Sequence, residues 1–253
     1  MADDKPKRPA RLDLNSGGGK SGRLIQIGGT AIVVIFAVVL VTYIVMSNHK
    51  KNDGGAAGGA VEVTSAKLVT EDGKPKATVS FYEDFLCPAC GSFERAFGPT
   101  VSKLIDIGAV AADYTMLTIL DSPRNQNYSS RAAAAAYCVA DESIEAFRRF
   151  HSALYSADIQ PEEIGTSFPD DARLTELARE AGAAGSVPDC IKSGKYISKV
   201  NGLAAANGIH ATPTVKINGT DYDWSTPAAL VAKIKEVAGD VPGIDEAAAS
   251  AKA

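Results

Sequence analysis

The chain has 253 residues and a net charge of −4, with 45% hydrophobic and 22% charged residues. That length allows one large domain or two small ones. The slight acidity gives no basic footprint of the kind nucleic-acid recognition requires. Residues 1–23 are polar and Gly-rich, with Lys5, Lys7, Arg8, Arg11, Lys20 and Arg23 against three aspartates. Residues 24–46 then run 23 long without a charge, about 34 Å as a helix and enough to span a bilayer. Tyr43, near the far end, suits the membrane interface. A cleaved signal would have an apolar core of about 7–15 residues and a small-residue cleavage site. Here the core is longer and is followed by Ser47-Asn-His-Lys-Lys-Asn52, so it reads as an uncleaved single-pass anchor. Basic residues precede the span and only Lys50 and Lys51 closely follow it, which keeps the N-terminus cytoplasmic and the rest of the chain outside. Residues 47–60, rich in Gly and Ala, form a flexible tether reaching roughly 20 Å.

The exported part opens with two strands, 61–70 and 77–82, separated by a turn at Glu71-Asp-Gly-Lys-Pro-Lys76. A helix follows, stopping at Gly108, with Phe93, Phe97, Val101 and Leu104 as its apolar stripe. Residues 110–120 read as a third strand. About 90 residues of helical character come next, including 130–138, 143–155 and 171–181. Because strands resume after them, they form a helical subdomain (about 122–207) inserted into one α/β domain, 61–240. The Ala132–136 run reads as simple helix propensity. Pro213-Thr-Val-Lys-Ile217, Asn218-Gly219 and Thr220-Asp-Tyr-Asp-Trp224 make a hairpin with a preferred two-residue turn. Ser225 caps a last helix that ends at Gly239. Residues 241–253 are an Ala-rich tail expected to be disordered.

Between the second strand and its helix stands Cys87-Pro88-Ala89-Cys90. Two cysteines at i and i+3 on a first helical turn share a face. The helix N-terminus contributes about half a positive charge and unsatisfied N–H groups, which favour a thiolate on Cys87. Pro88 suits the first helical position. Placed after a strand and before a helix, the pair reads as a thioredoxin-like redox site. An inert structural link and a zinc knuckle are the other readings. Zinc would need a second Cys or His pair at short spacing, whereas Cys138, Cys190, His49, His151 and His210 are scattered. Neither a metal nor a cofactor is expected. Outside the cytoplasm disulfides persist; four cysteines allow three pairings, and 87–90 with 138–190 is favoured over two buried free thiols at 138 and 190. Thr212-Pro213 opens a strand, an ordinary place for proline; the functional reading is a cis bond.

The run Tyr82-Glu-Asp-Phe-Leu-Cys87-Pro-Ala-Cys90, a helical insert, and Ala211-Thr-Pro-Thr-Val-Lys-Ile-Asn-Gly219 together resemble the DsbA-like thiol–disulfide oxidoreductases over residues 65–240. The anchor and extra cysteine pair are similar to the bacterial membrane-tethered branch. The resemblance implies a thioredoxin fold, Cys87 as exposed nucleophile and Cys90 as buried resolving thiol. It further implies a cis Pro213 packed against the redox pair, a Thr212 backbone that pairs with extended substrate, and contact with Pro88 and Ala89. Its implied activity is disulfide formation in exported proteins, with reoxidation by a quinone-linked membrane enzyme of the vitamin K epoxide reductase type. A reductase or isomerase of the same fold is the alternative, then a holdase or copper-binding module. Phe81 stands where family members carry an acid; Glu83 either takes its place or is solvated or salt-bridged. Ala89 replaces the histidine of the strongest oxidants, and His210 reads as a surface loop residue.

Overall fold

The computed structural model describes residues 59–251. The predicted N-terminal segment, anchor and most of the tether lie outside these residues. Among the described residues no helix is long and apolar enough to cross a membrane.

The chain enters through strand β1 (Val61–Val63), whose ends are buried, and then leaves the sheet. The predicted 61–70 strand is shorter because the ladder partner gives out: Val63 pairs with Ala112, one residue from that strand's start. β2 (Thr70–Glu71) and β3 (Lys74–Pro75) form a small separate hairpin. Its turn residues Asp72 and Gly73 both take positive φ, as the preferred hairpin turn demands. β4 (Thr78–Glu83) alternates half-buried and buried positions. Helix α1 (Pro88–Asp106) crosses over to β5 (Ala111–Met116), which lies parallel to β4. Gly108, at φ 80°, makes that corner; a Cβ there would sit 2.1 Å from the Lys67 carbonyl oxygen. β5 stops short of the predicted Leu120 because β4 ends at Glu83. Beyond it the backbone is held by side chains: Leu120 N–H donates to Asp84 and the Asn125 amide to the Leu120 carbonyl.

The insert then builds α2 (Tyr128–Glu142), α3 (Ile144–Leu154), α4 (Asp171–Glu180), α5 (Val187–Ser193), α6 (Ile197–Val200) and α7 (Leu203–Asn207). Ser143 and Asp170 cap α3 and α4 with their side chains. The alanine run does more than favour a helix. Residues 132–136 are all buried, because α3 to α6 pack around α2 and only small side chains let them approach. Cys138 and Cys190 are joined, bonding α2 to α5 across 52 residues. Closing a loop of that size stabilises by about 4 kcal/mol in the chain-entropy view. Replacing both with alanine is expected to lower the unfolding free energy by up to that amount in denaturant titrations, with the reactivity of Cys87 unchanged.

β6 (Thr214–Ile217) and β7 (Thr220–Asp221) complete a sheet ordered β1-β5-β4-β6-β7, with β6 antiparallel to both neighbours. Past Asp221 the chain leaves this edge and Trp224 packs edge-on against Phe93 and Phe97 of α1. Thr226, not the predicted Ser225, caps α8 (Pro227–Ala238). The tail expected to be disordered instead forms α9 (Ile244–Ser250). Val241, Ile244 and Ala247 recur at helical spacing and are buried against the domain; α9 packs on α8 and α1.

Candidate active site

β4 carries the chain to the site through Asp84, Phe85 and Leu86, all buried. Asp84 fixes this exit, accepting from the Leu86 N–H and the Leu120 N–H at 2.9 Å each. Burial lifts its pKa to about 6. Cys87 then caps α1: its backbone is extended, and its sulfur accepts from the Cys90 N–H at 3.4 Å. Pro88 occupies the start of the helix, where no N–H is needed. Pro88 and Ala89 are exposed.

The two cysteines are free thiols in unlike surroundings. Cys87 is 7% exposed and Cys90 0%, so the predicted exposed nucleophile presents only a small part of its surface. The Cys87 pKa falls to about 5: the Cys90 thiol donates to it, and the Thr212 side chain and the Cys90 and Ala89 N–H groups add to this against partial burial. Burial pushes the Cys90 thiol far above the ordinary range, and the neighbouring Cys87 and the charge of Glu83 push it further. One sulfur is therefore held as thiolate and the other as thiol. Facing them, the Thr212–Pro213 bond is cis, and the Thr212 carbonyl oxygen lies 3.5 Å from the Cys87 sulfur. The pairing of Thr214 with Tyr82 brings this loop beside the motif. His210 is exposed.

Behind the sulfurs lies a cluster the sequence reading did not assemble. Glu83 is fully buried, neither solvated nor paired with a cation from the surface. Its Oε2 is 2.9 Å from His151 Nε2, and Glu94 Oε2 is 3.8 Å from His151 Nδ1. Burial raises the Glu83 pKa to about 8, although a hydrogen bond from Glu94 opposes the rise. Burial and the neighbouring Glu83 hold Glu94 well above the carboxylate range, while burial lowers His151. Phe81, in place of the expected acid, stacks on Tyr114 instead. Among the described residues this is a His and carboxylate cluster tight enough for a metal ion, its donor atoms within 4.8 Å of one another. A metal requires ionised carboxylates, so a cation here would have to displace the protons that burial favours on both carboxyls.

Gln160, from the loop after α3, was also missed. Its amide donates to the Cys87 carbonyl at 3.0 Å and the Phe85 carbonyl at 3.3 Å, while its oxygen accepts from Arg95 at 3.0 Å. Arg95 in turn donates to the Tyr155 carbonyl at 2.8 Å. Gly91 makes room for this strap, since a Cβ there would stand 1.8 Å from the Gln160 oxygen. Gln160→Ala and Gly91→Ala should each cost about 1 kcal/mol of stability and raise the Cys87 pKa, seen as slower alkylation at acidic pH. Their effects should not add, because both remove one strap; full additivity in the double variant would refute the contact.

The same arrangement of parts is found in known proteins. The Thioredoxin family pattern matches residues 68–236. The structure resembles the reduced disulfide bond oxidoreductase DsbG of Mycobacterium tuberculosis, at 75% identity and TM-score 0.77, covering 81% of this chain and 99% of that one. It also resembles reduced DsbA of the same organism, at 77% identity and TM-score 0.75, covering 76% and 98%. MdbA, a thiol–disulfide oxidoreductase of Corynebacterium diphtheriae, is 21% identical at TM-score 0.57 over 77% of this chain and 92% of its own, a likeness of fold. Among curated sequences, the serine/threonine-protein kinase PknE of M. tuberculosis is 34% identical over 152 residues, 58% of this chain. The chain spans 26% of the length of that relative. With the family pattern across most of the described residues and the two sulfurs set at the start of α1 beside the cis Pro213 loop, the chain belongs to the thioredoxin family, as a thiol–disulfide oxidoreductase of the DsbA type.

Proposed function

We propose that the protein introduces disulfide bonds into exported proteins by dithiol–disulfide exchange at Cys87-Pro88-Ala89-Cys90. The observation that carries this reading is the asymmetry of the sulfurs: a thiolate-stabilised Cys87 at a helix N-terminus above a buried Cys90. A substrate thiolate attacks the Cys87 sulfur of the oxidised pair. The substrate–Cys87 bond forms, the Cys87–Cys90 bond breaks, and its electron pair leaves on Cys90. That sulfur is sealed from water, so it takes a proton as it leaves. Glu83 supplies it, being protonated at neutral pH and close enough for its charge to act on both sulfurs. A second substrate thiolate then attacks the substrate-side sulfur, forming the product disulfide and releasing Cys87 as thiolate. A low Cys87 pKa makes it a good leaving group, which favours oxidation of substrate over its reduction.

The Thr212 backbone pairs with an extended substrate segment, with Pro88 and Ala89 beneath it. Residues 24–46 anchor the chain in the cell membrane with the catalytic domain outside, and the tether holds the site near its electron acceptor, a quinone-linked membrane oxidase of the vitamin K epoxide reductase type. The uncharged span and the basic residues before it support this placement. Mixing the oxidised protein with a reduced two-cysteine peptide should yield one peptide disulfide for each enzyme disulfide consumed. No transfer at neutral pH, with ready reduction of an oxidised peptide by the reduced protein, would favour the reductase alternative.

A further inference from the structure

The loop after α3 holds out an apolar side chain that the core does not receive. Ile164 is 92% exposed, whereas Ile119 and Trp224, the other exposed large hydrophobic residues among those described, are each 38% exposed. The Gly165 N–H donates to the Glu162 carbonyl at 2.9 Å, so Glu163 and Ile164 are the two central residues of a tight turn. Such positions favour Gly, Asn, Asp or Ser, not a β-branched hydrocarbon. Both ends of the loop are tied down. Gln160 bonds to the Cys87 carbonyl and Arg95, and the Pro169 carbonyl accepts from Arg131 at 3.0 Å. Ile164 is therefore held as a fixed ridge. Beside it a groove of about 560 Å³ runs to Pro88, the residue after the nucleophile. Pro88, Ala157, Pro161 and Ile164 give the groove apolar walls, and the exposed Glu162 and Glu163 stand at its rim. We propose that this groove seats the segment of an exported substrate that flanks the attacking cysteine, and that it selects a bulky apolar side chain next to a lysine or arginine. The inference rests on the oxidase reading and names the substrate class of that same site.

Two observations choose the occupant. The first is continuity with the redox motif. Pro88 adjoins Cys87, whose sulfur faces the Thr212 carbonyl, so a chain lying along Thr212 meets the groove close to its own cysteine. The second is charge. Residues 151–172 carry five acids and no lysine or arginine. Asp170 caps α4 and Asp171 pairs with Arg131, but Glu162 and Glu163 have no ion-pair partner among the described residues. Arg95, the one cation in the groove, points its donors at the Tyr155 carbonyl, Gln160 and Ser92. A cation on the substrate is favoured and an acid repelled. A second groove along Ile164 is lined by Leu120, Arg124 and Phe168; it touches no part of α1 and balances Glu163 with a cation, so it lacks both properties. A second copy of the chain fits poorly as well, because a two-fold contact at Ile164 would set the same acids against each other.

The test uses oxidised protein and reduced two-cysteine peptides whose first cysteine is flanked on both sides by Leu-Lys, Leu-Glu or Ser-Ser. The quantity read is the second-order rate at which each peptide reduces the Cys87–Cys90 bond. Every rate is divided by that of dithiothreitol on the same variant, since dithiothreitol has no flanking residues to seat. Covering an aliphatic side chain is worth about tenfold, and an exposed charge pair about threefold. The protein should therefore prefer Leu-Lys to Ser-Ser about tenfold, and Leu-Lys to Leu-Glu about threefold, the second preference fading at high salt. Ile164→Ser should remove the first preference, and Glu162→Lys combined with Glu163→Lys should reverse the second. All three positions are exposed, so the variants keep the core intact. A wild-type preference in either variant overturns the groove. If the protein proves to be a reductase, its reduced form is offered the same peptides as mixed disulfides with glutathione. The same preferences are expected there, so the groove stands or falls apart from the oxidase reading. A dimer in sedimentation that Ile164→Ser dissociates would give the ridge to a second copy and overturn the proposal.

Discussion

Cys87→Ser is expected to lose all oxidase turnover, and Cys90→Ser to accumulate mixed disulfides with substrate. The two sulfurs sit three residues apart, yet their surroundings assign them different tasks. Cys87 caps the helix and receives hydrogen bonds that a thiolate satisfies better than a thiol. It is also the sulfur beside Thr212, where an extended substrate would lie. A serine hydroxyl neither ionises at this pH nor forms a disulfide, so no substitute chemistry remains. Cys90 is sealed behind it and cannot be reached by a protein substrate. Without Cys90, a substrate disulfide attacked by Cys87 leaves a bond that no enzyme thiol can resolve. Non-reducing electrophoresis after mixing with a disulfide-bearing protein should show an adduct for Cys90→Ser and none for Cys87→Ser. Adducts on the Cys87 variant alone would reverse the assignment.

What local chemistry dictates was legible. The cap, the first-turn proline and the pair of cysteines read directly as a strand-to-helix redox corner, and Asn218-Gly219 read as the hairpin turn its positive φ angles confirm. The helix end at Gly108 followed from the same reasoning. What was not legible depends on residues far apart in the chain. Glu83, Glu94 and His151 come from β4, α1 and α3, and 68 residues separate Glu83 from His151. A clue was present: Glu94 stands beside Phe93 on the buried side of α1, where a carboxylate is costly unless it is protonated or paired. The buried alanines of α2 looked like propensity because nothing local says that four helices converge on them. In the tail, the alanine-rich run from Ala247 onward drew attention away from the helical period of Val241, Ile244 and Ala247, which tertiary contact with α1 and α8 makes decisive.

The last expectation concerns how strongly the protein oxidises, and how this depends on pH. The Cys87 pKa of about 5 lies far below that of a free cysteine, about 8.5. It lies between the strongest oxidant of this fold, with a pKa of about 3.5 and a potential of about −120 mV, and thioredoxin, at about 7 and −270 mV. A stabilised thiolate favours the reduced form, so a potential between these limits is expected. Ala89 offers the thiolate only its backbone N–H. A histidine in its place would add a positive charge beside the sulfur, so Ala89→His should move the potential towards −120 mV in glutathione titrations. The same thiolate governs stability. Its folded pKa is depressed, so it stabilises the reduced protein fully above pH ~8.5, and this is lost as pH falls through about 5. The oxidised protein has no such group; the raised pKa of Glu83, caused first by burial, disfavours folding as pH climbs from ~4.3 to about 8. The reduced protein should therefore outlast the oxidised one in urea at pH 8, with the gap closing by pH 4.5. A gap that does not change with pH would mean that Cys87 is not held as thiolate, and a potential at or below that of thioredoxin would replace the oxidase with a reductase.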